Sequence, residues 1–297
     1  MQTLTAFVRE HPRLFVLTGA GVSTHSGIPG YRDADGCWRR KPPVTHQEFT
    51  RSEPARRRYW ARSLVGWPAI AGAEPNAAHD ALAGLERAGR VASLVTQNVD
   101  GLHQRAGSRH VIDLHGRLDR VVCLSCAATL PRATVQAAME RANPGFACCG
   151  GSRGPDGDAD LDVDCEGFEP PDCPECGGIL KPDVVFFGDG VPRARVAGAF
   201  AALRGADAML VVGSSLMAYS GYRFCERARA SGKPVVAINR GRTRADDLLQ
   251  FKIDDDCLPV LAALARELAP RRRIDSEAFP RHDPRRGKLR QRRRGTR

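Results

Sequence analysis

The side chains best placed for chemistry lie in TQNVDGLHQRAGSRHVIDLHG, from Thr96 to Gly116. Leu94-Val95 ends a short apolar run and Gln97-Asn98-Val99-Asp100 follows at once. Val111-Ile112 opens a second apolar run that closes on Leu114-His115-Gly116. Two strand ends would therefore deliver an amide, a carboxylate and an imidazole to one edge of a sheet. In an open α/β sheet, ligands bind in the crevice outside the carboxyl ends of the strands. The competing structural reading makes Asn98 and Asp100 caps of the next helix, and His115 the end of a hairpin.

A second stretch, LFVLTGAGVSTHSGIPGYRD from Leu14 to Asp33, reads as a buried strand, a Gly-rich turn and a helix start. Such a turn lets backbone N–H groups face a phosphate. Gly19 and Gly21 fit G-x-G, but Thr24 stands where the dehydrogenase fingerprint has its third Gly or Ala. A third cluster is Cys123-Leu-Ser-Cys126 and Cys173-Pro-Glu-Cys176, two C-x-x-C knuckles separated by residues 127–172. Four thiolates make a tetrahedral zinc site with no open position, hence a structural one. Cys148 or Cys149 replacing one ligand is the alternative. The Gly- and Asp-rich run GPDGDADLDVDCEGF between the knuckles lacks EF-hand spacing and reads as a surface loop.

These groups need a scaffold, and the hydrophobic pattern supplies one. Helices are expected over Gln2–Pro12, Glu53–Trp67, Ala77–Ala88, Arg193–Leu203, Tyr222–Ala230 and Leu258–Leu268. Strands are expected over Leu14–Leu17, Val91–Thr96, Val184–Phe187, Ala208–Gly213, Val235–Ile238 and Phe251–Ile253. Strand and helix in turn predict an α/β fold, a Rossmann-like doubly wound parallel sheet, with a helical and zinc-ribbon module inserted. The expected divisions are 1–33, 76–119 and 181–270 for the sheet domain, 34–75 for the helical part, 120–180 for the zinc part, and 271–297 for a basic, disordered tail.

The chain has 297 residues and a net charge of +11, of which residues 271–297 carry +9 from twelve Arg or Lys and three acids. A nearly neutral body argues against a nucleic-acid-binding domain. The tail is the candidate contact for nucleic acid or acidic partners. No apolar run reaches signal-peptide or membrane-span length, so the expectation is a cytoplasmic protein.

Together, GAGVSTHSGIPGYRD, TQNVDGLH, LHG, the two Cys pairs, KPDVVFFGD, GSSL and INRG resemble, in this order, the sirtuins, NAD-dependent protein-lysine deacylases. The resemblance covers roughly residues 1 to 268. In that family the acetyl oxygen attacks the ribose carbon bearing nicotinamide, nicotinamide leaves, and a histidine removes a proton from a ribose hydroxyl. The resemblance puts that histidine at His115, a role suited to imidazole, whose unperturbed pKa lies nearest neutrality. It puts Asn98 and Asp100 at the nicotinamide ribose and amide, with Val99 between them, and Ile28 in the nicotinamide pocket. Gly19, Ala20, Gly21 and Ser23 match the diphosphate turn, with Arg32 nearby and Gln97 facing the ribose. Gly213, Ser214 and Ser215 match a second phosphate and ribose loop. Asn239, Arg240 and Gly241 match the adenosine ribose site, and Cys257 the adenine wall. Phe187, Gly188 and Asp189 match the loop that receives the acyl-lysine peptide as an added strand. The implied cofactors are NAD and one structural zinc ion per chain, and the implied partner is the acylated lysine of a protein substrate.

The sequence departs from the family at Gly30, where Asp is usual in GIPDYR, at His25 and Tyr31, and over Met217–Ser220, which lacks Val-x-Pro. GSSL, PDGDAD, LKPDVVFFGD and TRAD resemble the class II branch. Tyr59 and Arg62, three apart on one helix face, resemble a pair that holds acidic acyl groups such as succinyl. The plainer reading is an Arg-rich solvated helix whose Tyr59 packs on the sheet. A hydride-transferring dehydrogenase, a zinc-dependent nucleic-acid binder and an ADP-ribosyltransferase are the rival functions.

Overall fold

The computed structural model describes residues 2–33, 35, 37–39, 43–146, 152–154, 156–160 and 165–269. The tail after Pro270, the Cys148-Cys149 pair and part of the acidic loop lie outside these described residues. Helix α1 (Gln2–Glu10) buries Leu4, Phe7 and Val8 and leads into β1 (Leu14–Thr18), whose five residues are all buried. Uninterrupted burial is what a central parallel strand, covered on both faces, requires. The expected helix start after β1 is instead two 3-10 turns, Ala20–Val22 and Thr24–Ser26. Gly27, at φ 82°, ends the second of them.

Two helices follow. A Thr45–Glu48 capping box starts α2 (His46–Arg51), and Ser52 caps α3 (Glu53–Ala71). Helix α3 passes through Pro68, beyond its expected end at Trp67. Proline removes the donor for the carbonyl four residues back, and that carbonyl, of Leu64, accepts from Gln136 Nε2 at 2.9 Å instead. Next come α4 (Ala77–Arg87), β2 (Val91–Thr96), the short α5 (Leu102–Arg105) and β3 (Val111–Asp113).

Directly after His115 the chain leaves the main sheet. Strand β4 (Gly116–Cys123) pairs antiparallel with β5 (Thr129–Pro131), which continues into α6 (Arg132–Ala142). A hairpin of two two-residue strands, β6 (Ser152–Arg153) and β7 (Ala159–Asp160), returns toward α3, and β8 (Leu180–Val184) closes a three-stranded sheet on the other side of β4. The strand expected at Val184–Phe187 is therefore displaced: it ends at Val184 and belongs to this small antiparallel sheet, because its partner is β4. The helical and zinc parts are not separate excursions. Phe49, Trp60 and Leu64 share one core with Leu118, Val121, Met139, Phe168 and Leu180. Within it, buried Arg132 stacks over Trp67 and Trp60 at 4.7 and 5.4 Å.

The chain then completes the main sheet with α7 (Arg193–Arg204), β9 (Ala208–Val212), α8 (Tyr219–Ala230), β10 (Val235–Ile238), β11 (Phe251–Ile253) and α9 (Cys257–Leu268). Helix α8 starts at Tyr219, three residues before its expected start. The strand order is β11-β10-β9-β1-β2-β3, all parallel, with apolar cores on both faces. This is the Rossmann-like doubly wound sheet that the alternation predicted. Its order reverses between β1 and β9, so the crevice for a ligand opens at their carboxyl ends.

Candidate active site

At that switch point two loops meet in close contact. A Cβ at Gly19 would stand 2.7 Å from Ser214 Cβ, and one at Gly21 would stand 2.8 Å from Gly213 Cα. The expected role of these glycines changes in one respect. The amides of Gly19 and Gly21 already donate to the Val212 and Gly213 carbonyls, at 3.1 and 2.8 Å, so the glycines serve the approach of the two loops.

The ends of β2 and β3 add the polar groups. Asn98 Nδ2 donates to Gly19 O at 3.1 Å and to Ser23 Oγ at 3.0 Å. Both amide hydrogens are thus used, and what Asn98 offers is its carbonyl oxygen. Asp100 accepts from Ser23 Oγ at 2.7 Å and, at 2.9 Å, from the amide of Leu102 at the start of α5. Gln97 bridges the two loops from its side chain to Ser214 Oγ at 2.9 Å.

His115 is held at both ring nitrogens. Nδ1 lies 2.9 Å from the Gln97 carbonyl oxygen, which can only accept, so Nδ1 carries the proton. Nε2 is then the acceptor, and Ser220 Oγ lies 2.8 Å from it. Burial pushes the imidazole pKa down to about 4 against the opposing bond to Gln97, and Arg223 and Arg195 add to the depression. At neutral pH this is an uncharged base with its lone pair on Nε2.

All of this faces a cavity of about 1180 Å³, larger than the roughly 300–1,000 Å³ of an ordinary small-molecule pocket. Gly19, Ala20, Gly21, Arg32, Gln97, Asn98, Val99 and His115 line it, as do Gly213, Ser214 and Ser215. Asn239, Arg240 and Cys257 also line it, and so do Tyr59, Phe187, Gly188 and Asp189. Ser23, Ile28, Asp100, Gly241 and Arg62 are not in its wall. Ser23 and Asp100 support Asn98 from behind, Ile28 is buried in the small core, and Gly241 donates its amide to Asp254.

A family model described as the Sir2 family matches residues 19–220, more than half of the chain. The chain belongs to the Sir2 family. A relative from Xanthomonas axonopodis pv. citri, called an NAD-dependent protein deacetylase, is 57% identical over 281 residues, 94% of this chain and 96% of its own. One of the same description from Bordetella bronchiseptica is 59% identical over 263 residues, 88% and 96% of the two chains. A solved Sir2 structure with a p53 peptide and NAD+ matches at a TM-score of 0.74 and 30% identity, covering 90% and 98%. Another, described as a structural basis for the mechanism and regulation of Sir2 enzymes, matches at 0.72 and 33%, covering 90% and 96%. The resemblance carried by the motifs from GAGVSTHSGIPGYRD to INRG is borne out.

The second centre of this Sir2-family chain is the thiol cluster. The Cys123, Cys126, Cys173 and Cys176 sulfurs all lie within 4.8 Å of one another, with Cys123–Cys176 at 3.5 Å and Cys126–Cys173 at 3.8 Å. Zn–S bonds of about 2.3 Å give a tetrahedron with edges of about 3.8 Å, so the cluster fits a structural zinc ion. A Cβ at Gly178 would lie 2.5 Å from Ser125 Oγ, which shows how closely the knuckles face each other.

Tyr59 and Arg62 do not form the carboxylate clamp expected of them. Tyr59 is buried in the cavity wall, but Arg62 Nε donates to Asp158 Oδ1 at 2.7 Å and to the Ala159 carbonyl at 2.9 Å. The hairpin between β6 and β7 packs on α3 at Gly66, where a Cβ would lie 2.5 Å from the Asp158 carbonyl carbon. That contact brings Asp156 and Asp158 into the cavity wall beside Tyr59. Sequence reasoning missed them, and it missed Ser220, which had no signal beyond the absent Val-x-Pro.

Proposed function

We propose that this Sir2-family chain is an NAD-dependent protein-lysine deacetylase, moving the acyl group from lysine to ADP-ribose with release of nicotinamide. The observation that carries this reading is the neutral His115, with Nε2 as acceptor, set between the cofactor loops at β1 and β9 and the Phe187 wall. When bound there, NAD supplies an electrophilic ribose carbon and a leaving nicotinamide. The residues do the rest. Gly19, Gly21 and Gly213 let the two loops close on each other around the diphosphate. The Asn98 carbonyl oxygen accepts from a ribose hydroxyl, with Ser23 and Asp100 holding Asn98 in place. His115 Nε2 takes a proton from a ribose hydroxyl.

The acyl-lysine peptide would lie along the main chain of residues 186–190. Exposed Phe187 there packs edge-on to Trp38 at 5.3 Å and Tyr31 at 6.3 Å. GSSL, PDGDAD, LKPDVVFFGD and TRAD support membership of the class II branch. A cytoplasmic site of action suits four clustered thiols, which a reducing compartment keeps as metal ligands.

The test is His115→Ala in the full chain, assayed with an acetyl-lysine peptide and NAD. Deacetylation should fall by roughly two to four orders of magnitude while NAD still binds by calorimetry. Deacetylation by the variant at the wild-type rate would remove His115 from the mechanism. Consumption of NAD with formation of reduced nicotinamide would return the chain to dehydrogenase chemistry.

A further inference from the structure

The segment between β9 and α8 is bent so that the first turn of α8 faces His115. Leu216 is buried and adopts φ 58°, a left-handed backbone that a branched side chain rarely takes. Its amide is pinned to Ser214 Oγ at 3.2 Å. Strain of this kind persists where the surroundings over-determine it and clusters at functional sites. Three residues on, α8 begins, and a Cβ at its Gly221 would stand 2.5 Å from Gln97 Oε1. The turn thus sits against the residue whose carbonyl holds His115 Nδ1.

Ser220, the second residue of that helix, places Oγ 2.8 Å from His115 Nε2. With Nδ1 donating to Gln97, Nε2 has no hydrogen, so the serine hydroxyl must be the donor. Ser220 is itself fixed by the helix and through its carbonyl, which accepts from Arg223 Nε at 3.1 Å. The imidazole is therefore gripped on both edges, by Gln97 from one strand end and Ser220 from a helix start. A single bond at Nδ1 would leave the ring free to swing about that contact.

We propose that Ser220 is a positioning residue for deacylation: its hydroxyl holds the His115 ring so that Nε2 stays directed into the cavity. The inference rests on His115 being the base. Ser220 keeps the ring turned this way while NAD binds and nicotinamide leaves, and only at the proton transfer does the sugar hydroxyl take over the place of Ser220 Oγ on Nε2. Its O–H bond then breaks with the electron pair left on the sugar oxygen and the proton on Nε2, while the serine keeps its own proton. Ser220 touches the base and acts through it.

The test uses the full chain as wild type, Ser220→Ala, Ser220→Thr and His115→Ala, with an acetyl-lysine peptide. Ser220→Ala should lower kcat by roughly ten- to a hundredfold, up to the cost of a misplaced catalytic group, with KM for NAD within about twofold. Exchange of labelled nicotinamide into NAD, which precedes the proton transfer, should stay within about twofold as well. Ser220→Thr, which keeps the hydroxyl, should recover kcat to within about threefold of wild type. In protein without NAD, 15N spectra of labelled histidine should show the His115 Nε2 resonance shifted in Ser220→Ala and restored in Ser220→Thr.

An unchanged kcat in Ser220→Ala, or an unmoved Nε2 resonance, overturns the proposal. So does a parallel fall of exchange, NAD affinity and Tm, which would make Ser220 a packing residue. If His115→Ala itself deacetylates normally, the base assignment has failed, independently of the Ser220 results.

Discussion

Arg62 Nε donates to Asp158 Oδ1 at 2.7 Å, so the guanidinium that could have met an acidic acyl group is matched by a carboxylate of the β6–β7 hairpin. With Asp156 and Asp158 both in the cavity wall beside Tyr59, a third carboxylate brought in on the substrate would meet like charge. Burying a carboxylate without a partner costs several kcal/mol. Acetyl-lysine peptides should therefore turn over at least about tenfold faster than succinyl- or glutaryl-lysine peptides. Asp158→Asn should narrow the gap by releasing Arg62. Equal rates for acetyl and succinyl in the wild type would show that another cation serves the acidic group.

Three buried imidazoles set the acid side of both activity and stability. Burial pushes His103 down to about 3, with nearby His79 adding to it, and lowers His79 as well. His115 stands at about 4. Each is neutral in the folded chain and protonates near 6.5 when unfolded, so unfolding takes up protons at acid pH. The stability they contribute is complete above about pH 6.5 and is lost as pH falls toward these folded values. His103 and His115 each add a slope of about 1.4 kcal/mol per pH unit between their unfolded and folded values. Tm should fall steadily from pH 7 to 5, and His103→Gln should flatten that fall. The acid limb of kcat/KM, read where the chain stays folded, should lie below pH 5. A Tm constant to pH 5, or an activity limb near 6.5, would contradict the buried, neutral state.

Zinc should be found at one ion per chain. Its removal should unfold the small domain, because the four sulfurs tie the end of β4 to the segment that leads into β8. Cys126→Ser, at an exposed ligand, should cost metal affinity and lower Tm together. Full activity from a metal-free, folded preparation would make the cluster dispensable.

Deleting the chain after Pro270 should leave turnover of a short peptide unchanged at moderate salt and abolish any salt-sensitive retention on nucleic acid. The net +9 of residues 271–297 is the reason. Loss of peptide turnover on truncation would mean that the tail belongs to the catalytic body.

Strands β2, β10 and β11 were legible to the residue because their apolar runs are bounded by polar or turn-forming neighbours. The Cys knuckles and the β1 turn were legible because their chemistry is local in sequence. Other features were decided by segments arriving from afar. Periodicity puts Tyr59 and Arg62 on one face of α3, yet Asp158, 96 residues later, decides what Arg62 meets. Ser220 reaches His115 across 105 residues. The strand at Leu180–Val184 reads LKPDV, apolar only at its two ends, so the apolar run Val184–Phe187 draws the expectation past it, and only its pairing with β4 reveals it.

The position of β1 has a consequence for synthesis. Its two neighbours are β2, complete at Thr96, and β9, complete at Val212. At 5–20 residues per second, the ribosome takes on the order of ten seconds to cover that interval. Throughout it, a strand whose five residues are all destined for burial has one edge bare, the condition in which strands pair with the wrong chain. The second knuckle, ending at Cys176, emerges inside that interval, so metal capture can close the small domain before the nascent sheet acquires the strand that seals β1.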